Sequence, residues 1–297
     1  MSPGAGERMR RGIVFPQGDI GSDPESVRAY VRGVEQLGFD HLVVPDHLLG
    51  VDPAAHPGWS GPYDIDDSFH EPLVLFGFLA AVSSIDLVCG ILVLPQRAVA
   101  VVAKQAAEVD LLSGGRLRVG VGLGWNAPEF TAAGADFPSR AARMEEQIEV
   151  LRLLWTNKRV DFEGEYHSML GVGLAPLPAQ QPIPIWIAAE RATRAFERVG
   201  RLGDGLMAMG PPDETARRGL DSLRTAAAQI GRDTSTFGIE AHVSLGDGDL
   251  DRAHREIAGW RDLGATHISV NTRARDRAGW QVHLNRAAAA WDALRTA

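Results

Sequence analysis

The sequence has a single cysteine, Cys89, among its 297 residues. That excludes an internal disulfide and any cysteine-based zinc site. It has no excess of positive charge: 30 basic residues against 38 acidic ones leave a formal net charge of −8. Such a balance argues against nucleic acid and membrane surfaces as partners, because nothing is left over to neutralise phosphates. No apolar run spans a bilayer. The most apolar stretch, 73–94, is broken by Ser83, Ser84 and Asp86 and reads as a helix followed by a strand. Residues 1–11 are rich in Gly, Pro and Arg and carry no apolar core, so they predict a disordered extension, no signal peptide and a cytoplasmic setting. Paired metal-ligand spacings are missing as well. Asp46/His47 with His70/Glu71 is the nearest approach, and no metal is expected. The only lysines, Lys104 and Lys158, fall on or just past helices, which removes the Schiff-base chemistry of barrel aldolases.

What remains is the composition of an ordinary soluble domain, 45% apolar and 23% charged. Strand-like runs at 13–15, 41–44, 87–94, 117–123, 183–189, 205–209, 237–245 and 267–271 each precede a helix-like run. The first helix shows the pattern clearly, with Asp23 as N-cap, Pro24 at its first position and Gly38 after its end. Eight alternating units in one chain predict an α/β fold, a (β/α)8 TIM-like barrel, as a single domain over 12–297. An open doubly wound sheet is the alternative architecture. Residues 157–182, with Gly164, Gly171, Gly173, Pro176, Pro178 and Pro182, read as an insertion within that domain.

Barrel chemistry gathers at the C-terminal ends of the strands. There the sequence places Asp46-His47, after the second strand. A histidine in that position handles protons near neutral pH, with Asp46 as the residue that places it. After the fourth strand, Gly120, Gly122 and Gly124 alternate with apolar residues. No helix follows at once, so this is not a dinucleotide fingerprint. Small residues there let a flat ring lie on the barrel mouth. Packing explains Gly120 and Gly122 equally well, whereas Gly124 is the better functional residue. Trp186 to Thr193 joins a strand to a helix, where backbone N–H groups and Arg191 suit a phosphate. Capping of the helix by Thr193 is the alternative.

The ordered set of motifs resembles a known family. Leu37-Gly38-Phe39-Asp40-His41-Leu42-Val43-Val44-Pro45-Asp46-His47 is similar to the second-strand signature of the luciferase-like monooxygenases and their deazaflavin-dependent relatives. The match continues through Gly90-Ile91-Leu92-Val93-Leu94-Pro95-Gln96-Arg97, 103–117, Gly120-Val121-Gly122-Leu123-Gly124-Trp125-Asn126, and Pro182-Ile183-Pro184-Ile185-Trp186-Ile187. The resemblance implies a TIM-like barrel with a flavin-type ring in its mouth. It also implies a third-strand bulge with a non-proline cis peptide, which maps onto Gly90-Ile91. Coenzyme F420, a 5-deazaflavin hydride carrier, is the implied cofactor because of Asp46-His47. The alternative is FMN in a monooxygenase that activates dioxygen and is fed by a separate reductase.

On this resemblance His47 and Asp46 are catalytic. Gly90, Ile91, Gly124, Trp125 and Asn126 hold the ring, and Ala188, Ala189, Glu190, Arg191 and Thr193 lie near the tail phosphate. The substrate is a small organic molecule. Some relatives that oxidise alcohols and sugars place a carboxylate just after the fourth strand. This chain has Trp125-Asn126 there, which argues against a sugar phosphate. The two irregular segments, 59–69 and 157–182, are expected to wall the pocket. A homodimer is expected through helices near the second and third strands, where the apolar segment 72–81 offers a surface.

Overall fold

The computed structural model describes residues 8–246 and 248–296. Most of the expected N-terminal extension, residues 1–7, lies outside the described residues. The chain alternates as expected. Strand β1 (Arg10–Val14), helix α1 (Pro24–Leu37), β2 (His41–Val44), α2 (Pro72–Ala80), β3 (Asp86–Val93), α3 (Val99–Ser113) and β4 (Leu117–Gly122) form the first half. Two helices follow, α4 (Ala127–Ala132) and α5 (Arg140–Thr156), and then a hairpin of β5 (Val160–Glu163) and β6 (Ser168–Val172). The second half runs β7 (Ile185–Ala189), α6 (Thr193–Leu202), β8 (Gly205–Ala208), α7 (Glu214–Gln229), β9 (Gly238–Ser244), α8 (Leu250–Asp262), β10 (His267–Asn271) and α9 (Trp280–Thr296).

Eight of the strands close a parallel barrel in the order β1-β10-β9-β8-β7-β4-β3-β2. This is the (β/α)8 fold. β1 begins at Arg10, earlier than the apolar run suggested, because Arg10 and Arg11 pair with His267 and Ile268 of β10. Helix α1 forms as its caps require. The Asp23 carboxylate accepts from Ser26 N at 2.9 Å, and Gly38 ends the helix in the left-handed region, φ 93°. Among the described residues no helix is long and apolar enough to cross a membrane.

Side chains of alternate residues fill the barrel in layers. At its N-terminal end the layer is polar and buried. Glu240 accepts from His41 at 2.7 Å, from Ser269 and from Arg118. The Arg118 guanidinium also lies 3.9 Å from the centre of the Trp186 ring. Burial alone would raise the Glu240 carboxyl, but Arg118 and His41 outweigh it and hold the group well below its ordinary range. His267, beside them, is pushed down to about 2 by burial and by Arg118, so it stays neutral. Above this plug sits an apolar layer of Val14, Val43, Val88, Trp186 and Met207. The functional face rests on that layer.

The insertion does not wall the mouth, which corrects the sequence expectation. It folds as the β5–β6 hairpin and is held by Glu146 of α5, which accepts from Glu165 N at 2.7 Å and contacts His167 at 2.7 Å. The chain then crosses α3, where Lys104 donates to Ala175 O at 2.9 Å. Gln180 donates to Leu117 O at 2.8 Å, at the opposite end of β4 from the mouth.

Candidate active site

At the C-terminal end of β2 the chain turns through Pro45, and Asp46 and His47 face different tasks. Asp46 is 4% exposed. Its carboxylate accepts from Val93 N at 2.9 Å and from Arg97 at 2.7 Å. Arg97 reaches on to Glu71 at 2.7 Å. Burial pushes the Asp46 carboxyl up, with Arg97 and the Val93 N–H pulling against it. Asp46 therefore ties the end of β2 to the end of β3. It does not orient His47, and this corrects the role assigned from sequence. Arg97 thus pairs with both the Asp46 and the Glu71 carboxylates.

The carboxylate that meets His47 is Glu129. His47 Nδ1 lies 3.4 Å from Glu129 Oε2, and the Glu129 side chain is 1% exposed. Glu129 Oε1 accepts from Leu48 N at 2.6 Å and Leu49 N at 3.2 Å. Burial raises the Glu129 carboxyl, but His47 and these two N–H groups bring it below its ordinary value, so it is ionised at neutral pH. An ionised carboxylate at Nδ1 fixes the ring's orientation and leaves Nε2 as the working nitrogen. Three aromatic rings enclose the imidazole: Phe69 at 4.8 Å, Tyr63 at 4.9 Å and Trp125 at 5.8 Å between centroids.

Glu129 escaped the sequence reading because α4 is only six residues long. The signal was nonetheless present. Asn126 followed by Pro128 marks a helix start, and an acidic residue three after the N-cap commonly folds back there. The carboxylate that Trp125-Asn126 lacks thus arrives three residues later, already committed to His47.

Beside His47 lies a floor of small residues. The Gly90–Ile91 peptide is cis, and the β3–β4 register shifts between Cys89 and Leu92. A Cβ on Gly90 would stand 2.0 Å from Val43 Cγ1, and one on Gly122 would stand 2.7 Å from Ile91 Cδ1. Gly124 has φ 73°, and a Cβ there would stand 2.5 Å from Val93 Cγ1. Gly120 lies below the floor against Cys89 O and Met207 Sδ, so packing explains it.

These groups border one cavity of about 690 Å³ at the barrel mouth. Of the residues named from sequence, Asp46, His47, Gly90, Ile91, Gly124, Trp125, Ala188, Ala189, Glu190 and Arg191 line it. Asn126 does not; it is 3% exposed, behind the wall. Thr193, the first residue of α6, is not part of the lining either. Nor does it cap the helix: Ala192 holds the N-cap position, and no side chain bonds the helix's first N–H groups. The Ala195 N–H bonds Ala192 O at 2.9 Å, and those of Thr193 and Arg194 have no partner among the described residues; beside Arg191 they suit an anion. Arg198 and His242 also line the cavity and were not singled out from sequence. The volume, the floor without side chains and the open helix end fit a flat tricyclic ring with a phosphate-bearing tail.

The family model described as luciferase-like monooxygenase matches residues 9–295. The chain belongs to that family. As a luciferase-like protein it is an oxidoreductase. It is similar to an uncharacterized protein of Mycobacterium tuberculosis (strain ATCC 25618 / H37Rv), at 30% identity over 266 residues, 88% of this chain and 90% of that one. It is also similar to the F420-dependent glucose-6-phosphate dehydrogenase of Amycolatopsis mediterranei (strain U-32), at 31% identity over 192 residues, 62% of this chain and 53% of that one. Among solved structures, an F420-dependent secondary alcohol dehydrogenase in complex with an F420-acetone adduct shares the fold. Its TM-score is 0.73, with 17% identity, over 95% of this chain and 99% of that one.

Proposed function

We propose that this luciferase-like protein is a cytoplasmic, F420-dependent oxidoreductase that transfers hydride to or from a small, uncharged organic substrate, with His47 moving the accompanying proton. The observation that carries this is the buttressed histidine. His47 stands at a strand end over the glycine floor, with Nδ1 held by an ionised carboxylate and Nε2 bonded to no described group. The likeness to an F420-dependent dehydrogenase supports the choice of cofactor.

Gly90, Ile91, Gly122 and Gly124 would bear the ring, and the N–H groups of Thr193 and Arg194 with Arg191 would bear the tail phosphate. A bound deazaflavin supplies a carbon that carries hydride. The protein supplies the rest. His47 Nε2 donates a proton to a substrate oxygen as its carbon is reduced, or accepts it in the reverse direction. Glu129 holds the imidazole in the orientation that both directions need. Tyr63, Phe69 and Trp125 pack around the imidazole and favour an uncharged substrate. A sugar phosphate fits poorly, because Glu129 is already occupied by His47, Leu48 N and Leu49 N.

The helices beside the second and third strands present an apolar face. Val74 of α2 is 68% exposed, and Val101 and Leu112 of α3 are 54% and 65% exposed. We propose that this face forms a homodimer interface, which light scattering would report as twice the monomer mass.

The test is replacement of His47 by Ala. Cofactor affinity should stay within severalfold, while turnover of reduced F420 with a responsive carbonyl substrate falls about 10²-fold or more. Near wild-type turnover would make His47 a wall of the pocket only. Oxygen consumption with reduced FMN, and none of this F420 chemistry, would instead support the monooxygenase reading.

A further inference from the structure

The wall of the cavity built by β9 and β10 carries hydrogen-bonding capacity that the protein leaves unused. His242 stands on β9 in register with Ser269 of β10 and lines the cavity. Its Nε2 is shielded from the solvent-open cavity and has no hydrogen-bond partner, which is destabilising. The imidazole therefore meets the cavity along its other edge, where Nδ1 bonds to no described group. Ser244 and Asn271, a register pair one step nearer the mouth, line the same wall. Asn271 spends its Oδ1 on Arg273 N at 3.0 Å, which leaves its amide N–H groups. Burial holds the His242 imidazole below its ordinary value against the pull of Glu240, so the ring is neutral at pH 7. A neutral imidazole offers one N–H donor and one lone pair.

The cavity is therefore two-sided. The His47 side is aromatic, and the β9–β10 side is polar and uncharged. We propose that His242, assisted by Ser244 and Asn271, binds an uncharged ligand edge of alternating acceptors and donors: the dione edge that flavin and deazaflavin rings share. The proposal rests on the ring-binding reading above. It assigns ring recognition to β9–β10 and leaves phosphate recognition to the start of α6, where Arg191 lies.

The experiment is a fluorescence titration with F420, FMN and riboflavin, the last having the ring and no phosphate. The proteins are the wild type, His242→Leu, His242→Gln and Ser244→Ala. His242→Leu should weaken every ring that the wild type binds by about tenfold, the worth of one hydrogen bond. The loss should be the same for riboflavin as for FMN. Without ligand, the same variant should melt at or above the wild-type temperature, because an unpartnered shielded nitrogen is gone; a merely structural histidine would lower it. His242→Gln, which restores a donor and an acceptor, should stay within about threefold of wild type. Wild-type affinity in His242→Leu overturns the proposal while leaving ring binding intact. If His242→Leu does not fold, Ser244→Ala decides at an exposed position: a loss of about threefold supports the proposal and no loss overturns it. A wild-type protein that binds none of the three rings removes the ring-binding reading and this proposal together.

Discussion

Substituting Gly90 by Ala places a methyl group where the floor of the mouth meets the apolar layer beneath it. The new Cβ would stand 2.0 Å from Val43 Cγ1, and Val43 is 0% exposed. Valine is stiff at χ1, so its methyl cannot swing aside, and either the strand or the side chain must shift. Overpacking of this kind costs about 1–3 kcal/mol. Val43→Ala removes two methyl groups from the same layer and costs about 2–3 kcal/mol in transfer and cavity terms. If the two residues did not touch, the double substitution would lose about 3–6 kcal/mol, the sum of the two. Because the methyl group added at position 90 falls into the space vacated by the Val43 side chain, the double variant should be no less stable than Val43→Ala alone. The coupling is then about 1–3 kcal/mol. Thermal unfolding of the four proteins reads this out at about 2 °C per kcal/mol in a chain of this length. Additive losses would show that Gly90 does not rest on Val43 and would refute the description of the floor.

The buried plug gives a second set of outcomes. Arg118→Met leaves Glu240 without its strongest cation and should cost about 3–5 kcal/mol in urea unfolding. Glu240 is held well below its ordinary value in the folded protein, so the stability it contributes is complete above its unfolded pKa of about 4.3 and is lost as pH falls towards the folded value. Glu240→Gln should therefore flatten the dependence of the urea midpoint on pH below about 5; an unchanged acid limb contradicts this. At the active site, Glu129→Gln should lower kcat about tenfold with little change in KM, because a ring that is less well held still binds substrate. Combined with His47→Ala it should cost nothing further, and additive losses would give Glu129 a role independent of His47.

The barrel was legible because each strand is a short apolar run that feeds a helix with visible punctuation, such as Asp23-Pro24 before α1 and Gly38 after it. The place of His47 was legible for the same reason, since a strand end is read from local pattern. Side-chain direction was not. Asp46 turns to Arg97, 51 residues away, and no local feature of Pro45-Asp46-His47 records that partner. The course of 157–182 depends on contacts as distant as Gln180 with Asp110 and Leu117, so its Gly/Pro content marked an irregular segment without saying which end of the barrel it covers. His242 was within reach. Glu240 and His242 are two apart on β9 and so share its inward face, a parity that the strand assignment alone could have shown.

The proposed occupant of the cavity at the barrel mouth is a deazaflavin ring. Titration of the apo-protein with F420 and, separately, with FMN, followed by cofactor fluorescence, decides whether it binds there. Saturable F420 binding at micromolar concentrations, tighter than that of FMN, is the predicted result. Micromolar binding of FMN with no binding of F420 would contradict it.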